Sequence, residues 1–348
     1  MKKVSIIIPN YNCRQYVGAC LDSVMRQNYR DKEIIIVDDG SVDGSQELIR
    51  KLIEKNSCAR LYSVEHLGVN ATRKFGLLKA TGDYVMFVDA DDFLEPNAIE
   101  ALAKEIEKND VDIVKFGAKY YPDGGEVMPI LKREDSRKVL TQDEMIALLA
   151  TSDKLNSLWG KMYRKNIFDD VLAFDYDIGL GEDLLISMEV CKRIDKMLVI
   201  DEALYNYRND NDSITRSREK YSIVKNVQDR VCVTLKMLEY INDNVVDEKL
   251  RIMAIYKQIS AIWGTMKQLA LVNDAKKEEL EVAIDGIRKI KLRDADICNL
   301  RQYVNNLDLP RKLKNGMAVR ALAEKDCDKV WRAFRRYRAL RKIARRGK

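Results

Sequence analysis

Through about the first 115 residues, short apolar runs alternate with amphipathic stretches. Val4–Ile8, Glu33–Val37, Ala59–Val64, Tyr84–Val88 and Val111–Phe116 have the length and β-branched or aromatic character of buried strands. Between them, Gln15–Gln27, Gly44–Lys55, Val69–Ala80 and Pro96–Glu107 carry apolar residues at helical spacing, as at Leu21, Val24 and Met25. This alternation predicts an α/β fold, a mainly parallel sheet with helices on both faces. In such sheets ligands bind beyond the carboxyl ends of the strands. Those ends read Pro9-Asn10-Tyr11-Asn12, Asp38-Asp39-Gly40-Ser41, Glu65-His66-Leu67-Gly68 and Asp89-Ala90-Asp91-Asp92, so acidic and polar groups from separate strands should meet at one rim.

From Tyr120 to about Ser217 the pattern loosens. Pro122-Asp123-Gly124-Gly125 reads as a turn, Thr141–Thr151 as a helix, and Gly179-Leu180-Gly181 as a break before a helix from Glu182 to about Arg193. Tyr205–Arg216 reads as a solvated loop or as a supplier of cations, Arg208 and Arg216, to a diphosphate. After Glu219 everything reads helical. The expected division is therefore 1–217 and 218–348.

Composition narrows the chemistry. With 46% hydrophobic residues among 348 the chain can bury a sizeable core, and no apolar run approaches the roughly 20 residues that span a bilayer. Seven scattered cysteines without a Cys-x-x-Cys pair argue against zinc and a disulfide framework and for a reducing cytoplasm. A single histidine, His66, rules out a two-histidine metal helix, so acid–base work falls mostly to carboxylates. The formal charge of +6 is uneven: Trp331–Lys348 holds nine Lys or Arg and no Asp or Glu, leaving the rest of the chain at −3.

Tyr84–Val88 ends on three carboxylates in Asp89-Ala90-Asp91-Asp92. On an extended chain Asp89 and Asp91 face the same side, and their repulsion is relieved by a hard divalent cation. A capping cluster ahead of Pro96 is the bland alternative, but capping needs one short polar side chain. Asp38 and Asp39 could accept a hydrogen bond from a nucleobase imide or hold a ribose hydroxyl; a turn and helix cap would equally use Ser41 or Asp43. Glu182 and Asp183 suit a helix start on electrostatic grounds, and after a Gly-x-Gly loop in a histidine-poor chain they are also the best candidates for a general base. Trp159-Gly160-Lys161 is either core or an aromatic platform with a cation beside it.

Taken in order, these residues resemble an inverting family 2 glycosyltransferase of the bacterial surface-polysaccharide type, with the GT-A fold followed by a helical C-terminal region. The resemblance runs through Val4–Asn12, Leu21-Asp22-Ser23-Val24, Asp38–Ser41 and Gly68–Gly76, where Thr72 and Lys74 depart from the usual Ala and Asn. It continues through Asp89-Ala90-Asp91, Trp159–Arg164, Gly181-Glu182-Asp183 and Tyr207-Arg208 with Ser213-Ile214-Thr215, covering roughly the first 217 residues. It implies that Pro9, Tyr11, Asn12, Asp38, Asp39, Arg73, Asp89, Ala90 and Asp91 face a nucleotide-sugar donor, most simply a UDP-sugar. Asp91, with Asp89, would hold Mn²⁺ or Mg²⁺. Trp159, Lys161, Glu182, Arg208 and Arg216 would lie on the acceptor or diphosphate side, and Asp183 would be the catalytic base. The implied acceptor is a glycan or lipid-linked glycan.

Two other readings compete. A metal-dependent sugar nucleotidyltransferase would carry a Gly-rich basic loop after the first strand, where Pro9–Cys13 is followed only by Arg14; a non-catalytic acidic-pocket binding module is the other. The tail, with Trp331, Phe334, Leu340 and Ile343 at rough helical spacing amid cations, suits an anionic membrane interface on the inner face. Nothing else in the chain resembles a nucleic-acid fold, so nucleic acid is not an expected partner.

Overall fold

Strand β1 (Val4–Asn10) is buried along its whole length, between β2 (Lys32–Asp38) and β4 (Tyr84–Phe87), both parallel to it. A strand covered on both faces needs apolar side chains at successive positions, which is why these runs do not alternate. The computed structural model describes residues 1–122, 127–128, 136–169, 178–209, 220–245, 247–269, 281, 285, 288–289, 291–307, 317–325 and 329–337. The expected turn at 123–125, the loop through Arg216, and Leu340 and Ile343 lie outside them.

The remaining strands are β3 (Ala59–Ser63), β5 (Phe93–Leu94), β6 (Ile113–Tyr121), β7 (Val127–Met128), β8 (Arg137–Thr141), β9 (Lys161–Arg164) and β10 (Lys196–Arg208). The sheet order is β3-β2-β1-β4-β9-β6-β10-β5, with β7 on β6 and β8 on β10. Its first half, β3-β2-β1-β4, is parallel. Beyond β4 it is mixed, because β9 runs antiparallel between β4 and β6. The expected loop beginning at Tyr205 is corrected in part: Tyr205–Arg208 closes β10, paired parallel with β6 at Ala118–Tyr121.

Helices α1 (Val17–Met25), α2 (Ser45–Ile53), α3 (Val69–Lys79) and α4 (Ala98–Asn109) connect the parallel strands. In α4 the buried residues Ala98, Ile99, Leu102, Ala103 and Ile106 recur at the spacing of one helical face and pack with Ile6, Ile8 and Met86 in the core. Helix α3 approaches β1 so closely that a Cβ on Gly76 would lie 2.4 Å from Ile7 Cγ2. Arg73, three residues earlier and on the same face, is buried with it. Helices α5 (Gln142–Thr151) and α6 (Glu182–Cys191) follow.

The chain divides into two compact units. The first is Met1–Ile146, Asp153–Gly179 and Ile186–Asn211; the second is Ala147–Ser152, Leu180–Leu185 and Asp212–Lys348. The second unit thus takes in two short segments from earlier in the chain, which a division at residue 217 leaves out.

Its helices are α7 (Lys220–Asn244), α8 (Glu248–Leu269), α9 (Asp294–Asn305) and α10 (Met317–Ala323), with α7, α9 and α10 all packed on α8. Residues 329–337 are also helical. Arg251 of α8 makes a two-pronged ion pair with Asp296 of α9, both bonds 2.9 Å, and Arg293 closes on the same carboxylate. Lys257 of α8 donates to the carbonyls of Leu149 (3.0 Å) and Ser152.

Phe334 is fully buried, Trp331 stacks on it, and Tyr337 meets Trp263 edge-on with Lys267 over its ring. Phe334, expected at a membrane interface, therefore belongs to the interior of the helical unit. Sequence periodicity defines an apolar face but not what covers it, and here neighbouring helices do.

Candidate functional site

The rim formed by β1 and β2 is held by a network on Asp38. Its Oδ2 accepts from Asn10 Nδ2 at 2.6 Å, while Oδ1 accepts from Ser41 N at 2.9 Å and Gln46 Nε2 at 2.7 Å. Ser41 Oγ accepts from Asn12 N, and Asn12 Oδ1 accepts from Val42 N, so the loops after β1 and β2 lock together. Asp38 is fully buried, which a carboxylate tolerates only with such donors. Pro9 is buried within β1. Asp38 therefore braces the rim, and the loops after β1 and β2 offer Asn12 and Ser41 at its surface.

Asp39 does similar work toward β3. Its two oxygens accept from Leu67 N at 2.7 Å and Gly68 N at 3.0 Å, with His66 Nδ1 3.1 Å from Oδ2. The His66 ring stacks on exposed Tyr11, centroids 4.4 Å apart and planes 27° apart. An exposed aromatic face at the carboxyl ends of parallel strands is a suitable platform for a nucleobase.

The acidic turn after β4 assigns its three carboxylates different surroundings. Asp89 Oδ1 accepts from Arg73 Nη2 at 3.0 Å, an ion pair reaching from α3. Asp92 points inward: Tyr205 OH donates to Oδ2 at 2.8 Å and Arg208 N to Oδ1 at 2.7 Å. Burial, with Asp89 and Asp91 beside it, pushes the Asp92 carboxyl up to about 8. Tyr205 OH also accepts from Asp89 N at 3.2 Å, and Arg208 Nε donates to Asp91 O at 2.9 Å. The Arg208 guanidinium lies over the rings of Tyr16 (5.0 Å) and Tyr121 (4.7 Å). Asp91 is half-buried and Ala90 buried.

Trp159 is half-buried in an aromatic stack, 4.8 Å from Tyr205 and 5.5 Å from Tyr207, with Lys115 Nζ 4.9 Å over its ring. Lys161 is buried, its ammonium donating to Leu155 O at 2.6 Å and Ser187 Oγ at 3.2 Å, so it is spent inside the core rather than on an open surface. Glu182 (buried) and Asp183 (half-buried) form the first turn of α6, where the helix dipole favours carboxylates. Both belong to the second unit. Arg216 is outside the described residues.

The structure thus brings Asn12, Asp38, Asp39, Tyr11, Arg73, Asp89, Asp91 and Arg208 onto the carboxyl-end side of the sheet unit. Tyr205, Gln46 and Ser41 organise that side and were not candidates from sequence. Ser41 and Gln46 flank the second strand end and offered a local signal; Tyr205, more than a hundred residues from the turn it holds, offered none.

Among the described residues no group of three or more His, Cys, Asp or Glu is placed to hold a metal ion. The donor set fits an ion only in part. Asp91, with Asp89 shared with Arg73, supplies hard oxygen, and the rest of a Mn²⁺ or Mg²⁺ shell would come from diphosphate oxygens and water, the usual arrangement for Mg²⁺ beside phosphates.

A family model described as Glycosyl transferase family 2 matches residues 5–172. The glycosyltransferase GlyA of Streptococcus pneumoniae is 27% identical over 343 residues, covering 89% of this chain and 49% of its own length. EpsJ of Bacillus subtilis, described as an uncharacterized glycosyltransferase, is 30% identical over 230 residues, 65% of this chain and 66% of its own. The chain therefore spans about half the length of the first relative and just under two thirds of the second. Among solved structures, residues 1–349 of S. aureus TarS in complex with UDP-GlcNAc superpose with a TM-score of 0.72 at 19% identity, over 97% of this chain and 92% of that one. That likeness shows the fold, a GT-A sheet with a helical C-terminal region.

Proposed function

We propose that the chain, which matches the Glycosyl transferase family 2 model over residues 5–172, is a glycosyltransferase of the bacterial surface-polysaccharide type that transfers a sugar, with inversion, from a UDP-sugar to a hydroxyl of a glycan or lipid-linked glycan. The observation that carries the reading is the gathering of Tyr11, Asn12, Asp39, Asp89 and Asp91 at the carboxyl ends of adjacent parallel strands. UDP as the nucleotide is supported by the TarS complex, which holds UDP-GlcNAc on the same fold.

In this reading Tyr11 and His66 stack on the base, and Asn12 and Asp39 lie beside it. Asp89, oriented by Arg73, faces the donor's ribose or sugar. Asp91, with Asp89, would hold Mn²⁺ or Mg²⁺, and such an ion would supply Lewis-acid charge neutralisation beside a diphosphate. Arg208 and Arg216 serve the diphosphate, while Trp159 and Glu182 serve the acceptor. Asp183 takes the proton from the acceptor hydroxyl as its oxygen bonds the anomeric carbon and the bond to the diphosphate breaks on the opposite face.

Residues 1–217 carry the proposed transferase chemistry and 218–348 are mainly helical, with 147–152 and 180–185 belonging to the helical unit. The enzyme works in the cytoplasm. Exposed Arg332, Arg335 and Arg336, with the remaining cations of 331–348, are what the chain offers an anionic membrane surface.

The test is a panel of sugar nucleotides mixed with lipid-linked acceptors in Mn²⁺, scored by release of nucleoside diphosphate. Release that depends on the acceptor is expected. Pyrophosphate release from a nucleoside triphosphate and a sugar phosphate would instead identify a nucleotidyltransferase, and UDP binding without any turnover a binding module.

A further inference from the structure

We infer that the helical unit positions the proposed base: α7 seats the turn that carries Asp183, through Val233 and Arg230. The inference rests on the reading of Asp183 as base. The turn 180–185 precedes the helical region in sequence yet belongs to the second unit with α7.

Gly181 adopts φ +96°, and a Cβ there would lie 3.1 Å from Val233 Cγ2 and 3.2 Å from Arg230 Nη1. The turn's backbone therefore lies close against α7, where a side chain would fit only if Val233 and Arg230 gave way by a few tenths of an ångström. Arg230 and Val233 are three apart and face the same side of their helix. Val233 is fully buried, and adjacent Thr234 donates to Gln258 O of α8 at 3.3 Å, which holds the seat against the next helix.

Asp183 follows Gly181 by two residues in the first turn of α6, so a shift at Gly181 is carried directly to its carboxylate. A displacement of about 1 Å in a reacting group costs about a hundredfold in rate. Arg230 and Val233 are positioning residues in this account. Tyr11, Asn12, Asp39, Asp89 and Asp91 belong to the other unit, so a displaced turn lowers turnover and leaves UDP affinity, whereas general loss of fold lowers both.

The experiment uses the full chain and compares Gly181→Ala, Gly181→Ala with Val233→Ala, Arg230→Met, Arg230→Lys and Asp183→Asn. Turnover is read as UDP release from the donor that the panel selects, UDP affinity by calorimetry in Mn²⁺, and order in the turn by amide hydrogen exchange of peptides spanning 180–185. Gly181→Ala and Arg230→Met should each lower turnover by about tenfold or more while UDP affinity stays within about twofold. Exchange at 180–185 should rise in both, and Val233→Ala should recover part of the Gly181→Ala loss. Arg230→Lys should fall between wild type and Arg230→Met.

If Asp183→Asn is inactive but the Gly181 and Arg230 variants keep full turnover, the positioning role is overturned while the base survives. If Asp183→Asn keeps turnover, the base assignment fails and the inference falls with it. Should Gly181→Ala not fold, the Arg230 pair decides. If no donor turns over, unchanged exchange at 180–185 in the Arg230→Met variant overturns the inference without any substrate.

Discussion

Arg73 Nη2 donates to Asp89 Oδ1 at 3.0 Å, joining the middle of α3 to the acidic turn after β4. The arginine side chain is only 6% exposed and the aspartate 26%. One cation thus offsets part of the repulsion among Asp89, Asp91 and Asp92 before any ligand arrives. Arg73→Met should remove this ion pair from Asp89 and cost about 1–3 kcal/mol, less than a fully buried pair because Asp89 is partly solvated. An unchanged denaturant midpoint would show that the pair contributes nothing.

Tyr205 holds the same turn from the opposite side. Its hydroxyl donates to Asp92 and accepts from Asp89 N, so Tyr205→Phe removes two bonds from a buried site without changing its shape. We expect a loss of about 1–3 kcal/mol in unfolding free energy. Because the ring stacks on Trp159 at 4.8 Å, Trp159 fluorescence should stay native-like while stability falls. Full stability in the variant would refute a bracing role.

These two contacts show where sequence reasoning stops. The parallel half of the sheet was legible because strands buried on both faces are short apolar runs and their helices repeat at 3.6 residues. Its strand ends pointed to Asp38, Asp39, Asp89 and Asp91 directly. Strand β10 leaves no such pattern because Lys196–Arg208 mixes polar and apolar residues and pairs with β6 through register shifts, so it never settles into alternation. The Arg73–Asp89 pair spans sixteen residues and the Tyr205–Asp92 bond 113, and neither distance leaves a local trace. Phe334 reads as a membrane-facing residue for a related reason: its burial depends on Trp331 and the helical neighbours, not on its own spacing.

Glu33 gives the fold an acid-sensitive tie. Its carboxylate accepts from Ser5 Oγ (2.6 Å), Thr81 N (2.7 Å) and Lys3 Nζ (2.9 Å), linking β2, β1 and the turn before β4. Burial alone would raise this carboxyl, but the bonds from Ser5, Thr81 and Lys3 outweigh it and hold the pKa down to about 2 against an ordinary 4.5. A depressed pKa stabilises the folded state above the unfolded value, and the benefit is lost as pH falls from about 4.5 toward 2. Glu33→Gln should therefore be less stable at neutral pH, and its deficit should shrink across that window. A pH-independent deficit in paired denaturation curves would rule the linkage out.

The helical unit has its own buried charge. Asp296 is fully buried and Arg251 is 5% exposed, and the pair clips α8 to α9 while Arg293 closes the N-terminus of α9 over the same carboxylate. Asp296→Ala strands a buried guanidinium, so a loss of about 3–5 kcal/mol is expected. Amide exchange should accelerate in α8 and α9 first, with β1 and β4 still protected. Uniform acceleration across both units would mean that they unfold as one.

Asp91 and Asp183 should fail in different ways, and the difference tests the division of labour between the strand end and the first turn of α6. Asp91 stands in the acidic turn with its carbonyl held by Arg208, so Asp91→Ala removes the proposed metal ligand while leaving that backbone bond possible. Calorimetry with UDP should then lose its dependence on Mn²⁺, with an affinity loss on the order of tenfold to a hundredfold. Asp183→Asn keeps the shape of the helix start and removes the proposed proton acceptor, so UDP should bind with Mn²⁺ as in the wild type. Turnover should fall by about a hundredfold to ten-thousandfold, the range that general-base catalysis supplies. Equal losses of nucleotide affinity in both variants would contradict separate roles, and near-normal turnover in Asp183→Asn would place the base elsewhere.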